Sequence, residues 1–403
     1  MAEFTKELVH IQTENPPAQN YRACAEALAR IIRGTGLHAT IEKIPVPKHL
    51  RAAASSASGG ASRTEPRYLV RATLGSGKSA LYFHGHYDVV PASRPGQFQP
   101  RERNGNIFGR GAADMKGGLV TMLYAVRALK DLCIALAGRI ELVFVPDEET
   151  GGERGTAALF ESGALAPVAI GMLTDEPTGG AIWNASRGAI TLRVTAKGKT
   201  AHVGLSFRGI NAFEKMLVTA RALEKEKQRI SARKTKFRIE PAAARRSILL
   251  LGGRSEGGTN FNAVPAESSF TIDRRINPEE NLSVEKNRLL GILQRLRRGG
   301  IELETEILQE GNSVAVEETQ PLARALAGSI REITRRAPRF EMCPGLLETR
   351  FYARQKIPAL AFGPGLLSVS HGPNEFVSLC EMEHCGAVYA LTAARLLHKD
   401  ESS

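Results

Sequence analysis

Apolar residues recur at helical spacing over residues 4–12 and 20–35, and Asn15-Pro16-Pro17 breaks the two segments apart. Residues 38–44 alternate like a strand. Residues 68–74, 79–83, 139–145 and 168–173 are short, mostly apolar runs with little polar alternation, which predicts strands buried on both faces. Helical spacing returns over 117–132 and 157–162. Strands alternating with helices predict an α/β fold, a mixed sheet covered by helices on both faces.

Near Arg187 the texture changes. Ile190, Leu192 and Val194 alternate with Thr191, Arg193 and Thr195, as in a strand with one buried face. A helix over 211–225, strands over 247–251 and 269–276, a helix over 282–297 and a strand over 301–308 come next. This β-α-β-β-α-β order is the split βαβ, or ferredoxin-like, arrangement. Buried α/β character resumes after Glu310, with a strand over 358–362 and a closing helix over 383–397. The expected architecture is a discontinuous domain, 1–186 and 310–403, carrying an inserted α+β domain over 187–309. Residues 47–66 include a run of Ala, Ser and Gly and read as a flexible surface insertion.

Composition narrows the class. The chain has 403 residues, 42% hydrophobic and 24% charged, as in a globular protein with a large core. No apolar run approaches the ~18 residues that a membrane span needs. The first residues are charged and lack the apolar core of a secretory signal. The five cysteines, Cys24, Cys133, Cys343, Cys380 and Cys385, are scattered without a Cys-x-x-Cys pair. That predicts free thiols in a reducing cytoplasm, and metal ligands, where present, of histidine and carboxylate type. The net charge of +12 is concentrated in residues 187–309, with 24 Lys and Arg against 13 Asp and Glu. Arg229, Arg233, Lys234, Lys236 and Arg238 cluster there beside one aromatic, Phe237. So few aromatics disfavour nucleic acid. The cluster reads first as a solvated face and second as a site for an anionic substrate or partner.

The chemistry begins at Phe83-His84-Gly85-His86-Tyr87-Asp88-Val89-Val90-Pro91. His84, His86 and Asp88 share one face as a buried strand runs out into a loop. Such a group is a metal ligand with its orienting acid or an ordinary hydrogen-bonded core histidine. Further groups sit in the same kind of place. Gly109-Arg110-Gly111-Ala112-Ala113-Asp114 is a glycine-rich turn bearing one acid. Asp147-Glu148-Glu149 and Asp175-Glu176-Pro177-Thr178 each end an apolar strand. His371-Gly372-Pro373-Asn374-Glu375 comes after the last strand. Adjacent acids at a strand end repel one another unless a cation neutralises them. Recurrence of the pattern favours a hydrolytic zinc, cobalt or manganese site, and the ligand count suits two ions. Either Asp175 or Glu176 could supply the third strand's ligand.

Over nearly its full length the chain resembles the family of di-metal peptidases that includes acetylornithine deacetylase, succinyl-diaminopimelate desuccinylase, aminoacylase and glutamate carboxypeptidase. The motifs are His86-Tyr87-Asp88-Val89-Val90-Pro91, Gly109-Arg110-Gly111 with Asp114-Met115-Lys116-Gly117, Asp147-Glu148-Glu149, Glu176-Pro177-Thr178, and His371 with Asn374-Glu375. The resemblance implies two divalent ions per chain, zinc first, with cobalt or manganese as alternatives. His86 and Glu176 would hold one, Glu149 and His371 the other, and Asp114 would bridge them. Asp88 would orient His86. Glu148 would be the general base, taking a proton from water and passing it to the leaving amine. His84 is then an inward core residue.

The inserted domain resembles the family's lid and dimerisation domain, which implies a homodimer. His202, in Gly198-Lys199-Thr200-Ala201-His202, matches a histidine that stabilises the oxyanion in a partner's site. Asn262, Arg275 and Arg350 would contact substrate, the arginines gripping a carboxylate. Around Arg350 the chain reads Leu347-Glu348-Thr349-Arg350-Phe351, where the family often has Ser-Asp-Gly-Arg-Phe. The expected function is hydrolysis of an N-acyl amino acid, of deacetylase or desuccinylase type. The alternatives are a dipeptidase or carboxypeptidase of the same family and a non-catalytic metabolite-binding homologue.

Overall fold

The computed structural model describes residues 1–46, 66–161, 163 and 168–398. The run read as a surface insertion lies, apart from Pro66, outside them. Contacts divide the chain into two compact units. One comprises Met1–Asn184, Val316–Phe340 and Phe351–Ser403, and the other Ala185–Ala315 with Glu341–Arg350. Residues 341–350 therefore group with the inserted segment, although the sequence pattern placed them with the flanking domain.

The sheet of the first unit runs in the order Ala39–Lys43, Tyr68–Gly75, Arg139–Val145, Ser79–His86, Val168–Thr174, Ala359–Ala361 and Ile182–Ser186. Its centre is parallel: Ser79–His86 pairs with both Arg139–Val145 and Val168–Thr174, and the latter pairs with Ala359–Ala361. Leu81 and Phe83 face one core, with Leu28, Ile32, Leu123, Val126 and Val388 from the helices Tyr21–Gly34, Gly117–Asp131 and Leu379–Leu397. Ala80 and Tyr82 face the other, with Val143, Met172, Leu159 and Tyr352. Burial on both faces explains why these strands read as continuous apolar runs.

The elements that escaped the pattern reading include one helix and one strand. The helix Pro321–Thr334 turns Leu322, Leu326 and Ile330 inward and carries proline in its first turn, where the ring's fixed φ suits a helix start. The strand Ile182–Ser186 carries two polar residues, Asn184 and Ser186, that are buried rather than solvated. Buried Asn184 donates to the Val316 carbonyl oxygen at 2.8 Å.

In the second unit, Ile248–Gly257, Glu267–Ile276, Gly188–Lys197 and Leu303–Gly311 form an antiparallel sheet in that order. The helices Ala212–Ser231 and Leu282–Arg298 bury Met216, Leu223, Ile230, Leu289 and Leu293 against Ile190, Leu192, Val194 and Ile272. Asn211 caps the first helix by accepting the N–H groups of Phe213 and Glu214, and Asn281 caps the second by accepting that of Val284. Strand order and helix placement are those of the split βαβ. Part of the basic cluster is neutralised internally. Arg233 pairs with Glu280 and Glu285, and Arg238 with Glu240 and Glu341. Among the described residues, no helix is long and apolar enough to cross a membrane.

Fully buried Arg274 sits at the centre of an ion-pair network, 2.7 Å from Glu280 and 2.9 Å from Glu285. Burial works against these carboxylates, yet hydrogen bonds from Arg233 and Arg274, with the Asn277 N–H at Glu280, hold both below the usual 4.5. A lowered folded pKa means stabilisation that is present above about 4.5 and lost as pH falls through the folded value. Arg274→Ala should therefore cost about 1.5–3 kcal/mol at pH 7, since Arg233 and Arg288 still face Glu285. The gap to wild type should narrow well below pH 4.5. Denaturant unfolding at the two pH values checks this; a gap that does not narrow in acid contradicts the network's role.

Candidate metal centre

Parallel register brings the acids together. His86 is level with Val145, and both His84 and Ala361 are level with Thr174. The C-terminal ends of four neighbouring strands therefore lie within two residues of one another in register, and the loops after them emerge at the same edge of the sheet. Open α/β sheets bind ligands at that edge. Asp88, Glu148, Glu149 and Glu176 leave it directly, and His371 sits on the loop after Ala359–Ala361.

Asp114 reaches the same place from an irregular stretch, 112–116, where its backbone is non-helical at φ −126° and ψ 92°. Glu375 holds that stretch, its Oε1 accepting the N–H groups of Ala113 and Asp114, both at 3.1 Å. Arg110 anchors Glu375 through a buried 2.6 Å ion pair and also donates to the His371 carbonyl oxygen at 3.0 Å. His371 itself has a left-handed backbone, φ 63°.

Among the described residues two groups of ligand atoms result, each within 4.8 Å: His86, Asp114 and Glu176, and Asp114, Glu149 and His371. Asp114 is common to both. Its Oδ1 lies 3.2 Å from Nε2 of His86, and its Oδ2 lies 3.3 Å from Nε2 of His371. Nε2 of His371 is also 3.3 Å from Glu149. On the far side of His86, Nδ1 is 3.0 Å from the Asp88 carbonyl oxygen and 3.5 Å from its carboxylate. The closer partner is thus the Asp88 backbone, which leaves the carboxylate for another task. Its Oδ1 and Oδ2 accept the N–H groups of Glu148 and Glu149, at 3.1 and 3.2 Å.

Electrostatics show what this cluster is suited to hold. Burial disfavours a charge on His86, but hydrogen bonds to Asp114 and Asp88 outweigh it and raise its pKa well above the ordinary value. Hydrogen bonds to Asp114 and Glu149 push His371 up to about 10. Burial alone would raise Asp114, yet His371 and His86 hold it well below the carboxylate range. Glu149 Oε1 is buried without a hydrogen-bond partner among the described residues. Three carboxylates, of Asp114, Glu149 and Glu176, converge with two imidazoles. This His and carboxylate donor set fits divalent zinc, cobalt or manganese, whose charge would take the place of the imidazole protons.

The remaining sequence candidates fall elsewhere. Asp175 points away from both groups, fully buried between Gly118 and Gly363, where a Cβ on either glycine would collide with it. Burial, and then the Glu176 charge, lift its pKa well above the carboxylate range. His84 is buried between Thr156 and Tyr352, each at 3.1 Å. His202, Asn262, Arg275 and Arg350 belong to the second unit. There His202 bridges to Ala263, and the Val203 N–H donates to the Asn262 carbonyl oxygen. His202 Nδ1 accepts the Gly204 N–H at 3.1 Å, so a neutral ring carries its proton on exposed Nε2. Arg275 is forked onto Asp273 at 2.7 and 3.1 Å, and Arg350 is buried and donates to the Leu347 carbonyl oxygen.

Residues 82–395 match peptidase family M20/M25/M40, and the chain belongs to that family of metallohydrolases. It is 30% identical over 300 residues to aminoacylase-1 of Sus scrofa, covering 71% of this chain and 72% of that protein. It is 31% identical over 236 residues to a "Probable succinyl-diaminopimelate desuccinylase" of Staphylococcus aureus, covering 53% of this chain and 58% of that relative. The fold is that of an M20 family metallo-carboxypeptidase from Sulfolobus solfataricus, with a TM-score of 0.78 at 16% identity over 98% of this chain and 99% of the other.

Proposed function

We propose that this protein hydrolyses the amide bond of an N-acyl amino acid, releasing a carboxylate and an amine. The observation that carries this reading is Asp114, whose two oxygens face different imidazoles at the shared corner of two ligand groups. His86 and Glu176 would hold one divalent ion and Glu149 and His371 the other, zinc being the preferred metal. Such ions supply Lewis-acid polarisation of the scissile carbonyl and make water acidic enough to attack it near neutral pH. Glu148 lies on the same loop as Glu149 and, among the described residues, belongs to neither ligand group, and proton transfer is the role assigned to its carboxylate. It takes the proton of the attacking water and delivers it to the amine nitrogen as the C–N bond breaks. Asp88 orients His86 through its carbonyl oxygen and holds the Glu148 loop through its carboxylate. His202 offers an Nε2–H donor for a developing oxyanion, and homodimerisation through the second unit belongs to the same proposal.

Elemental analysis should find about two ions per chain, and chelation should abolish turnover that added metal restores. In a panel of N-acetyl amino acids, N-succinyl amino acids and dipeptides, the acylated amino acids should turn over fastest. Activity that persists in metal-free protein would sink the mechanism. Preference for dipeptides would move the protein to the peptidase branch of the same chemistry.

A further inference from the structure

We infer that Asn15 is a positioning residue for Glu148, which rests on Glu148 being the base proposed above. Asn15 comes from the loop between the helices Ala2–His10 and Tyr21–Gly34, far in sequence from the ligands. Its backbone N–H donates to the Val89 carbonyl oxygen at 2.8 Å, and the Val89 N–H donates to that of Thr13 at 3.0 Å. These bonds lay residues 13–15 beside 87–89 and deliver the Asn15 side chain, 4% exposed, under the loop that bears the base.

There its Nδ2 faces three acceptors at once. Asp88 Oδ2 is at 2.9 Å, Thr150 Oγ1 at 2.9 Å and Asp147 Oδ1 at 3.3 Å. Two of the three are carboxylates, so the amide must turn its nitrogen towards them. Asp88 and Thr150 bracket Glu148 from both sides. Asp88 receives the Glu148 and Glu149 N–H groups, and Thr150 closes the same short turn, Glu148–Thr150. Asp147, immediately before the base, has a left-handed backbone, φ 80°. Buried Arg67 holds its side chain at 3.0 Å, and the Arg154 N–H donates to it at 3.1 Å. One neutral amide therefore ties the residue that orients His86 to both ends of the base-bearing turn. A carboxamide suits this position. It supplies two N–H donors between facing carboxylates without adding charge, where a smaller side chain would leave both facing an empty space.

Asn15→Ala should leave metal content unchanged and KM within about twofold, while kcat falls about 10–100-fold, the range typical of residues that support a site from behind. Amide exchange at Glu148 and Glu149 should quicken, with the strands Ser79–His86 and Arg139–Val145 still protected. Asn15→Ser keeps a donor of shorter reach and should recover part of the rate; it also serves if the alanine variant does not fold. Unchanged kcat in Asn15→Ala overturns the inference, as does a fall in kcat that tracks metal loss or general loss of protection. Glu148→Gln, assayed in parallel, separates the two readings. If that variant keeps full activity, the assignment of the base fails; if it is inactive while Asn15→Ala is fully active, the inference about Asn15 fails alone.

Discussion

Replacing Glu148 by glutamine is expected to slow turnover by about 10²–10⁴-fold, the range a positioned general base contributes. Metal content should stay near that of the wild type. The substitution keeps the size and one acceptor oxygen but removes the carboxylate that takes up a proton. It spares the ligand groups, because Glu148 is in neither of them. Its backbone N–H, which Asp88 accepts, is untouched, so the turn should keep its shape. Steady-state kinetics with elemental analysis on the same sample decides the matter. Loss of metal in parallel with activity would instead make Glu148 part of the cation site.

Arg110→Ala should be strongly destabilising to the first unit. Arg110 and Glu375 are each 1% exposed and 2.6 Å apart. Breaking a buried pair by deleting one partner costs about 3–5 kcal/mol, because the other charge is left uncompensated. Burial and the Asp114 charge already push the Glu375 carboxyl up. The loss should reach the metal groups as well. Arg110 holds Glu375, which fixes the backbone of Asp114, and it also holds the carbonyl oxygen of His371. The group containing Asp114, Glu149 and His371 should weaken more than the group containing His86 and Glu176. Denaturant unfolding and a metal titration test both parts; a variant within about 1 kcal/mol of wild type with unaltered metal binding would contradict them.

Much of this site is legible in the amino-acid sequence. A buried strand ends where its apolar run ends, so acids placed just after 145 and 174 had to emerge at one sheet edge once those strands flanked Ser79–His86 in parallel. The split βαβ was readable because Gly188–Lys197 and Glu267–Ile276 each bury one face only. The supporting contacts were hidden for a physical reason. Asn15 acts on Asp88 and Asp147 across 73 and 132 residues, and Arg110 acts on Glu375 across 265. Nothing in local periodicity records such pairings. Asn15 had a sufficient local explanation, a break before two prolines, and Arg110 one as part of a glycine-rich turn. The signal available was chemical: an arginine flanked by glycines in a buried turn needs an acid, and Glu375 stands in the last motif. Asp175 and Glu176 could not be separated by sequence spacing. The room left by Gly118 and Gly363 separates them.

The shared Asp114 also bears on the order in which a growing chain can assemble this centre. His86, Asp114 and Glu176 are all present once residue 176 has been made. The group built on Asp114, Glu149 and His371 must wait until the whole segment Ala185–Ala315 has been added. The Glu375 carboxylate that holds the Asp114 stretch comes later still. A ribosome-bound chain halted between these points would carry the side chains of the first group without the contact that holds Asp114, and only the returning C-terminal segment supplies that contact together with His371.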